Sequence, residues 1–169
     1  PAALIAALAM IVTRCCTGTQ SRQSIDWSVL IVIGASLGIG EAISLSGAAR
    51  FLSQQSIGVC GSNAWLQLVV IYFLTMILTE LVTNNAAAVL MFPLALEVAK
   101  TLGVSHVPFM IAIMIAASMG FATPFGYQTN LMVYGPGGYK FSDYLRVGIP
   151  LDLVMMAITV ALTPLVFAF

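Results

Sequence analysis

The sequence predicts an all-α, polytopic membrane protein, and three observations indicate this class. Of the 169 residues, 60% are hydrophobic and 7% are charged, whereas about a quarter of the residues of soluble proteins are charged. The mean hydropathy is +1.04. Several apolar segments approach the roughly 20 residues that a helix needs to cross a lipid bilayer. Six basic residues balanced by six acidic ones exclude a nucleic-acid partner, because binding the phosphate backbone needs an excess of positive charge.

The N-terminal part of the sequence predicts a truncated span, a loop and a complete span. Residues 1–13 are apolar but too few to cross the membrane, so we expect the chain to be a piece of a longer transporter. Residues 14–26 are polar and predict a loop. Residues 27–45 form a full-length apolar segment that opens with Trp27, a residue typical of the membrane interface. Residues 46–63 mix apolar and polar side chains and predict a short interfacial helix followed by a loop.

Residues 65–100 predict a re-entrant helical hairpin. Two apolar arms meet at a polar tip, Thr83-Asn84-Asn85. The second arm, from Ala86 to Ala99, is shorter than a membrane span. Polar backbone at membrane depth is tolerated only where it is buried in protein or lines an aqueous cavity. The tip is therefore a candidate site, although a simple turn at the membrane surface is the alternative.

Residues 107–135 predict a discontinuous membrane helix, and residues 147–169 predict the final span. The apolar run that begins at residue 107 is interrupted from Thr123 to Asn130. Pro124 removes a backbone donor and Gly126 weakens helix formation. A proline kink at a packed helix crossing is the simpler alternative.

The chemistry of the tip suits ions of both signs. A helix that begins at Asn85 or Ala86 would direct its positive end and unpaired N–H groups toward the space beside the tip. The Thr83 hydroxyl and the amides of Asn84 and Asn85 supply neutral oxygens for a cation and N–H donors for an anion. Transporters commonly place substrates and coupling ions at discontinuous helices of this kind.

Glu80 lies three residues before the tip, inside an apolar arm. A carboxylate at membrane depth is a functional candidate by default. From the sequence it could carry a proton, support a cation site or cap a backbone group, and these roles stay open. We also expect Glu97 to pair with Lys100 on one helix face. Asp152 lies just inside the final span and receives no role.

The sequence favours transport over catalysis. It contains none of the metalloprotease, serine-hydrolase or β-lactamase motifs. Its three cysteines and one histidine have no metal-ligand spacing. We therefore expect no enzyme activity and no organic cofactor.

Two motifs resemble the divalent anion:sodium symporter (DASS) family. Thr79-Glu80-Leu81-Val82-Thr83-Asn84-Asn85-Ala86 is similar to the family's hairpin signature, Thr-Glu-x-x-Ser-Asn-Thr-Ala. Ala122 to Asn130 is similar to its Thr-Pro-x-Gly-Thr-Pro-Pro-Asn stretch. The run from Leu131 to Leu151 is especially like the members that insert TrkA-C domains, and Ile25-Asp26-Trp27 at the start of a span also fits.

The resemblance implies that this chain is the C-terminal one of two inverted repeats in a larger transporter. Members are homodimers of elevator type that couple inward sodium flow to uptake of sulfate or of di- and tricarboxylates. For this chain, the resemblance implies a multi-pass protein of a cell membrane, the bacterial inner membrane in particular, with sodium as its coupling ion.

The resemblance also implies two sets of site residues. The sodium ligands would be Thr79, the carbonyl of Val82, Asn84 and the carbonyl of Gly126. The anion would bind Thr83, Asn84 and Asn85 at the tip and Tyr127, Gln128 and Asn130 at the break. The tip reads Thr-Asn-Asn where Ser-Asn-Thr is usual, and Tyr127-Gln128-Thr129 replaces Thr-Pro-Pro. The bulk of tyrosine favours sulfate or another small oxyanion as the substrate.

Two other hypotheses remain open at this point. An antiporter of the same superfamily would exchange sodium for protons or export an oxyanion, with Glu80 as its titratable group. A membrane scaffold would carry the same helices without transport.

Overall fold

The computed structural model describes residues 2–25 and 27–169, and every regular element in those ranges is an α-helix. The all-α class is therefore confirmed. Asp26 of the Ile25-Asp26-Trp27 pattern lies outside the described residues. The helices within these ranges are α1 (Ala2–Val12), α2 (Gly18–Gln23), α3 (Trp27–Leu45), α4 (Ala48–Cys60), α5 (Ala64–Leu81), α6 (Asn84–Leu102), α7 (Val107–Ser118), α8 (Gln128–Tyr134) and α9 (Phe141–Val166).

The chain divides into two compact units, residues 1–32 and residues 33–169. The first unit contains α1, α2 and the beginning of α3. The predicted loop over residues 14–26 was wrong in part, because α2 lies within it. This short helix forms because Thr17 and Gln20 cap its first turn reciprocally, each side chain accepting the other residue's backbone N–H.

In the second unit, α5 is the central helix and packs against α6, α7 and α9. The core combines large apolar side chains with alanines, and small side chains let packed helices approach closely. Tyr72 and Phe109 are the largest fully buried side chains. The buried apolar core comprises Leu68, Ile71, Tyr72, Met91, Ala95, Val98, Ala99, Phe109, Ala112, Ile113, Ala116 and Val160.

Among the described residues, three helices are long and apolar enough to cross a membrane, namely α5, α6 and α9, and α3 and α4 could form a fourth span bent by 69°. Helix α6 is longer than the predicted second arm because it begins at Asn84 and continues past Ala99 to Leu102, where Gly103, whose φ of 68° is left-handed, ends it. Both arms of the hairpin are long enough to cross a bilayer. Length does not distinguish a re-entrant hairpin from two spans, so the re-entrant topology remains a prediction.

The break in the discontinuous helix lies between Ser118 and Gln128. The observed break begins and ends a few residues earlier than the predicted interruption, which ran from Thr123 to Asn130. Asn130 already lies inside α8. Residues 141–146, which precede the predicted final span, are helical too, since α9 begins at Phe141. The Asp143 carboxylate accepts the Lys140 N–H at 2.8 Å and caps this first turn.

The predicted pair of Glu97 with Lys100 was wrong. Glu97 on α6 instead accepts a hydrogen bond from Arg50 on α4, with 3.4 Å between Arg50 Nε and Glu97 Oε1. Helices α4 and α6 pack together, and this packing brings the Arg50 guanidinium to the Glu97 carboxylate in place of Lys100.

Candidate functional site

The hairpin tip is a two-residue connection between α5 and α6. Val82 ends α5 with extended backbone, and Thr83 caps α6 by accepting the Ala86 N–H at 3.4 Å. Helix α6 begins at Asn84, one residue earlier than predicted. Its positive end and its first N–H groups therefore lie at the tip, next to the exposed side chains of Thr83 and Asn85.

Glu80 fastens the end of α5 to the break. Its Oε1 accepts the Ala122 backbone N–H at 2.9 Å, and its Oε2 accepts the Thr123 hydroxyl at 2.6 Å. The Thr123 hydroxyl oxygen in turn accepts the Gly126 N–H at 2.9 Å. Hydrogen bonds to an ionised carboxylate are stronger than neutral ones. Of the three roles left open for Glu80, the geometry shows the capping of backbone groups.

Two glycines allow the break to fold back on itself beside Glu80. A Cβ on Gly126 would lie 2.7 Å from Glu80 Oε2, and a Cβ on Gly120 would lie 2.9 Å from the Gly126 carbonyl oxygen. Any larger residue would have to displace its neighbour. The sequence pattern predicted Gly126 to weaken the helix, and the structure adds that its lack of a side chain makes room for the carboxylate.

Asn130 holds the break from the other end. Its side-chain nitrogen donates to the Gly120 carbonyl at 2.9 Å and to the Thr123 carbonyl at 3.2 Å. The Tyr144 hydroxyl of α9 donates to the Asn130 carbonyl at 2.9 Å. The amide donors of Asn130, a predicted substrate ligand, are thus engaged with the backbone of the break.

Oxygens from α5, α7 and the break surround the Asn84 side chain. The buried Thr79 hydroxyl donates to the Ala117 carbonyl at 2.6 Å. With its amide nitrogen turned inward, Asn84 donates to the Gly126 carbonyl (3.0 Å), the Thr79 hydroxyl (3.1 Å) and the Ala117 carbonyl (3.3 Å). With its amide oxygen turned inward, Asn84 presents a fourth oxygen to these three. The amide of asparagine offers either atom, and its partners decide the orientation.

The structure thus brings together Thr79, Asn84 and Gly126 of the predicted sodium ligands, and the fourth, Val82, follows the end of α5 at the tip. Sequence reasoning missed the Ala117 carbonyl. Its signal was the break itself, because the last carbonyls of a helix that stops have no intrahelical N–H partner, and α7 stops at Ser118.

Four of the six predicted anion ligands form two exposed groups. Thr83 and Asn85 lie at the tip, while Tyr127 and Gln128 lie at the start of α8. Within the described residues, no side-chain hydrogen bond joins one group to the other.

A cavity of about 320 Å³ lies beside the break, between α5 and α9. Glu80 and Asp152 both line it, together with Ala122 and Thr123. Asp152 is only 2% exposed. Sequence reasoning gave this residue no role, because its burial depends on how α9 packs. Among the described residues that line the cavity, none is basic.

A membrane protein in which a hairpin tip meets a broken helix has the architecture of a secondary transporter. The citrate transporter (CitMHS) family matches residues 1–169, and the chain belongs to this family. Family membership places it among transport proteins rather than enzymes and confirms the prediction of a multi-pass membrane protein.

Several relatives support the same class. Sodium/sulfate cotransporter 1 of Chlamydomonas reinhardtii is 38% identical over 94% of this chain and 18% of its own length. An uncharacterized transporter of Synechocystis sp. is 36% identical over 95% of this chain and 26% of its own length. A further uncharacterized transporter, from Escherichia coli K12, is 34% identical over 99% of this chain and 28% of its own length. The chain thus spans between 18% and 28% of the length of these relatives.

Proposed function

We propose that this chain is the C-terminal membrane repeat of a secondary active transporter that couples inward sodium flow to uptake of a divalent anion. Sulfate is the favoured substrate and a dicarboxylate is the second. The observation that carries the proposal is the convergence of neutral oxygens from three elements on the Asn84 side chain.

The oxygens of Thr79, Ala117 and Gly126 suit a hard monovalent cation. Hard cations take oxygen ligands from hydroxyls, amides and main-chain carbonyls. The Asn84 amide nitrogen fills the centre of this oxygen set when it donates to them. A sodium ion would require the amide to turn, so that its oxygen joins the ligands. Because the ligands are neutral, the ion is held weakly enough to be released, as a carrier requires.

The anion would bind at the N-terminus of α6. The helix directs its positive end and the N–H groups of Asn84 and Asn85 toward the tip, where the Thr83 hydroxyl adds a further donor. Tyr127 and Gln128, which begin the next helix, would face the same anion. Relatives named sodium/sulfate cotransporters support sulfate, and the name of the family makes citrate a substrate to be tested alongside it.

The resemblance to DASS transporters further supports a homodimer in the bacterial inner membrane, with the re-entrant hairpin moving as part of an elevator domain. In this proposal Glu80 is a permanent structural group, because both of its oxygens already accept hydrogen bonds.

The test is uptake of labelled sulfate, succinate and citrate by proteoliposomes that contain the full-length protein, with and without a sodium gradient. We expect accumulation of sulfate that requires the gradient and stops when an ionophore dissipates it. Folded protein that accumulates none of the three anions would overturn the proposal and favour ion exchange.

A matched pair of variants tests the residue that carries the proposal. Asn84→Ala removes the amide and should abolish sodium-dependent uptake. Asn63→Ala removes a cap at the opposite end of α5, where the side chain accepts the Trp65 N–H at 2.9 Å. It should cost about 1 kcal/mol of stability and leave the sodium dependence unchanged. Equal behaviour of the two variants would support the scaffold hypothesis instead.

A further inference from the structure

Asp152 is a buried carboxyl group that the proposed transport site does not use. It lies one helical turn after Gly148 on α9, and both residues are buried. The break crosses α9 at this point, because a Cβ on Gly148 would overlap the backbone of Phe121 and Ala122. The Asp152 carboxyl faces the same cavity as Glu80, and its Oδ1 has no hydrogen-bond partner among the described residues.

The charged and titratable groups around Asp152 offer no counter-charge. Helix α5 contributes Glu80 and the buried Tyr72, whose hydroxyl also lacks a hydrogen-bond partner in the described part of the chain. Helix α7, from Val107 to Ser118, contains no ionisable side chain, and the only one in the break, residues 119–127, is the exposed Tyr127. On α9 itself, Asp143 and Arg146 lie in the first turns and are exposed.

We propose that Asp152 is a proton-binding site, and that it is neutral while α9 is packed on the break. Two carboxylates at one low-dielectric site without a cation cannot both be ionised cheaply. Both oxygens of Glu80 already accept hydrogen bonds, one from an N–H and one from a hydroxyl. The backbone N–H groups of Phe121 and Ala122 approach the Asp152 carboxyl group, but its Oδ1 has no hydrogen-bond partner among the described residues, and a proton turns this carboxyl group into a donor.

Loss of this proton would loosen the break. The reaction is a simple dissociation: the O–H bond of the Asp152 carboxyl group breaks, the electron pair stays on the carboxylate, and the proton leaves to water through the cavity. The resulting anion faces Glu80 across the cavity and repels it. Because Glu80 holds Ala122 and Thr123, we expect alkaline pH to disturb the packing of α9, α5 and the break, and so to slow transport.

Infrared difference spectroscopy of the full-length protein tests the protonation state directly. Asp152→Asn keeps the size of the side chain and mimics its neutral form, and Asp143→Asn, on the exposed first turn of α9, is the matched control. The difference between wild type and Asp152→Asn at neutral pH should contain the carbonyl band of a protonated carboxylic acid. The Asp143→Asn difference should contain the bands of a carboxylate and no carbonyl band of a protonated carboxylic acid. If the substitution Asp152→Asn removes a carboxylate band instead, Asp152 is ionised in the wild type. This result would overturn the proposal and indicate a cation supplied by another part of the protein.

The pH profile of uptake tests the consequence, and this arm rests on the proposed function. Wild-type and Asp143→Asn uptake should fall at alkaline pH, by at most about tenfold per pH unit for a single proton. Asp152→Asn should keep its neutral-pH rate across the same range. An unchanged alkaline fall in Asp152→Asn would overturn the proposal. If no variant shows sodium-driven uptake, the proposed function fails, and the infrared result still decides whether Asp152 binds a proton.

Discussion

Two contacts join the α5–α6 hairpin to the break between α7 and α8, and they differ in charge. At the first, Glu80 presents a carboxylate whose two oxygens accept donors from Ala122 and Thr123. At the second, Asn84 presents a neutral amide to the carbonyls of Ala117 and Gly126. The two residues are four apart in the sequence and contact different backbone groups of the same region.

The difference indicates a division of labour. A charge-assisted contact inside a protein is costly to separate, since it leaves an unpaired carboxylate and unpaired backbone groups. A neutral amide can turn and present either its nitrogen or its oxygen. We therefore expect the Glu80 contact to persist throughout the transport cycle, while the Asn84 contact changes when an ion binds.

The largest expected effect comes from filling the space between the two contacts. Gly126→Ala would place a Cβ 2.7 Å from Glu80 Oε2 and would displace both contacts together. We expect loss of sodium-dependent uptake and a lower melting temperature. Gly34→Ala is the control, because a Cβ there meets nothing within 4 Å. Normal uptake by Gly126→Ala would show that transport does not need the close approach of Gly126 to Glu80.

The next effect separates charge from hydrogen bonding at Glu80. Glu80→Ala leaves the Ala122 N–H and the Thr123 hydroxyl without their acceptor, which costs roughly 1–3 kcal/mol per buried group. Glu80→Gln keeps one acceptor oxygen and should lower the melting temperature less, with sodium-driven uptake retained. The exposed Glu41 supplies the control, Glu41→Ala. Loss of sodium-driven uptake in a Glu80→Gln protein that remains folded would instead favour the antiporter hypothesis.

A smaller and more specific effect is expected at Thr79. Thr79→Val removes the hydroxyl that contacts Ala117 and Asn84. Thr75→Val removes an equally buried hydroxyl one turn earlier, which bonds only within α5 to Ile71. Both variants should lose similar stability. Only Thr79→Val should raise the sodium concentration for half-maximal uptake, by about tenfold if the ion loses about 1.4 kcal/mol of binding free energy. Equal sodium dependence in the two variants would remove Thr79 from the sodium site.

The smallest effect is expected away from both contacts. Arg50 pairs with Glu97 at 3.4 Å, with 74% of the arginine side chain exposed. Exposed ion pairs contribute about 0–1 kcal/mol, so Arg50→Ala should barely change the melting temperature or uptake. A large loss would mean that another part of the full-length protein uses this arginine.

The sequence by itself determined the class of the protein and the position of its irregular elements. A hydrophobic content of 60% leaves few alternatives to membrane helices. The irregular elements depend on local effects on the backbone. Pro124 lacks a donor, and Gly126 and the polar residues at the tip have weak helix propensity, so these positions can be predicted without knowing which helices pack against them. The extent of α6 was underestimated because polar residues at its two ends do not extend the apolar run from Ala86 to Ala99.

Only the tertiary structure decided which side chains meet. From the sequence, three roles were open for Glu80, and the hydrogen bond from the Ala122 N–H shows which one it has in this fold. The Ala117 carbonyl could not be found from a motif, because every residue has a backbone carbonyl. Asp152 is an ordinary carboxylate in the sequence and becomes a buried one because Gly148 lets the break lie directly on α9. Hydrogen bonds and charge pairs depend on distances between elements far apart in the chain, and these distances are set by how the helices pack.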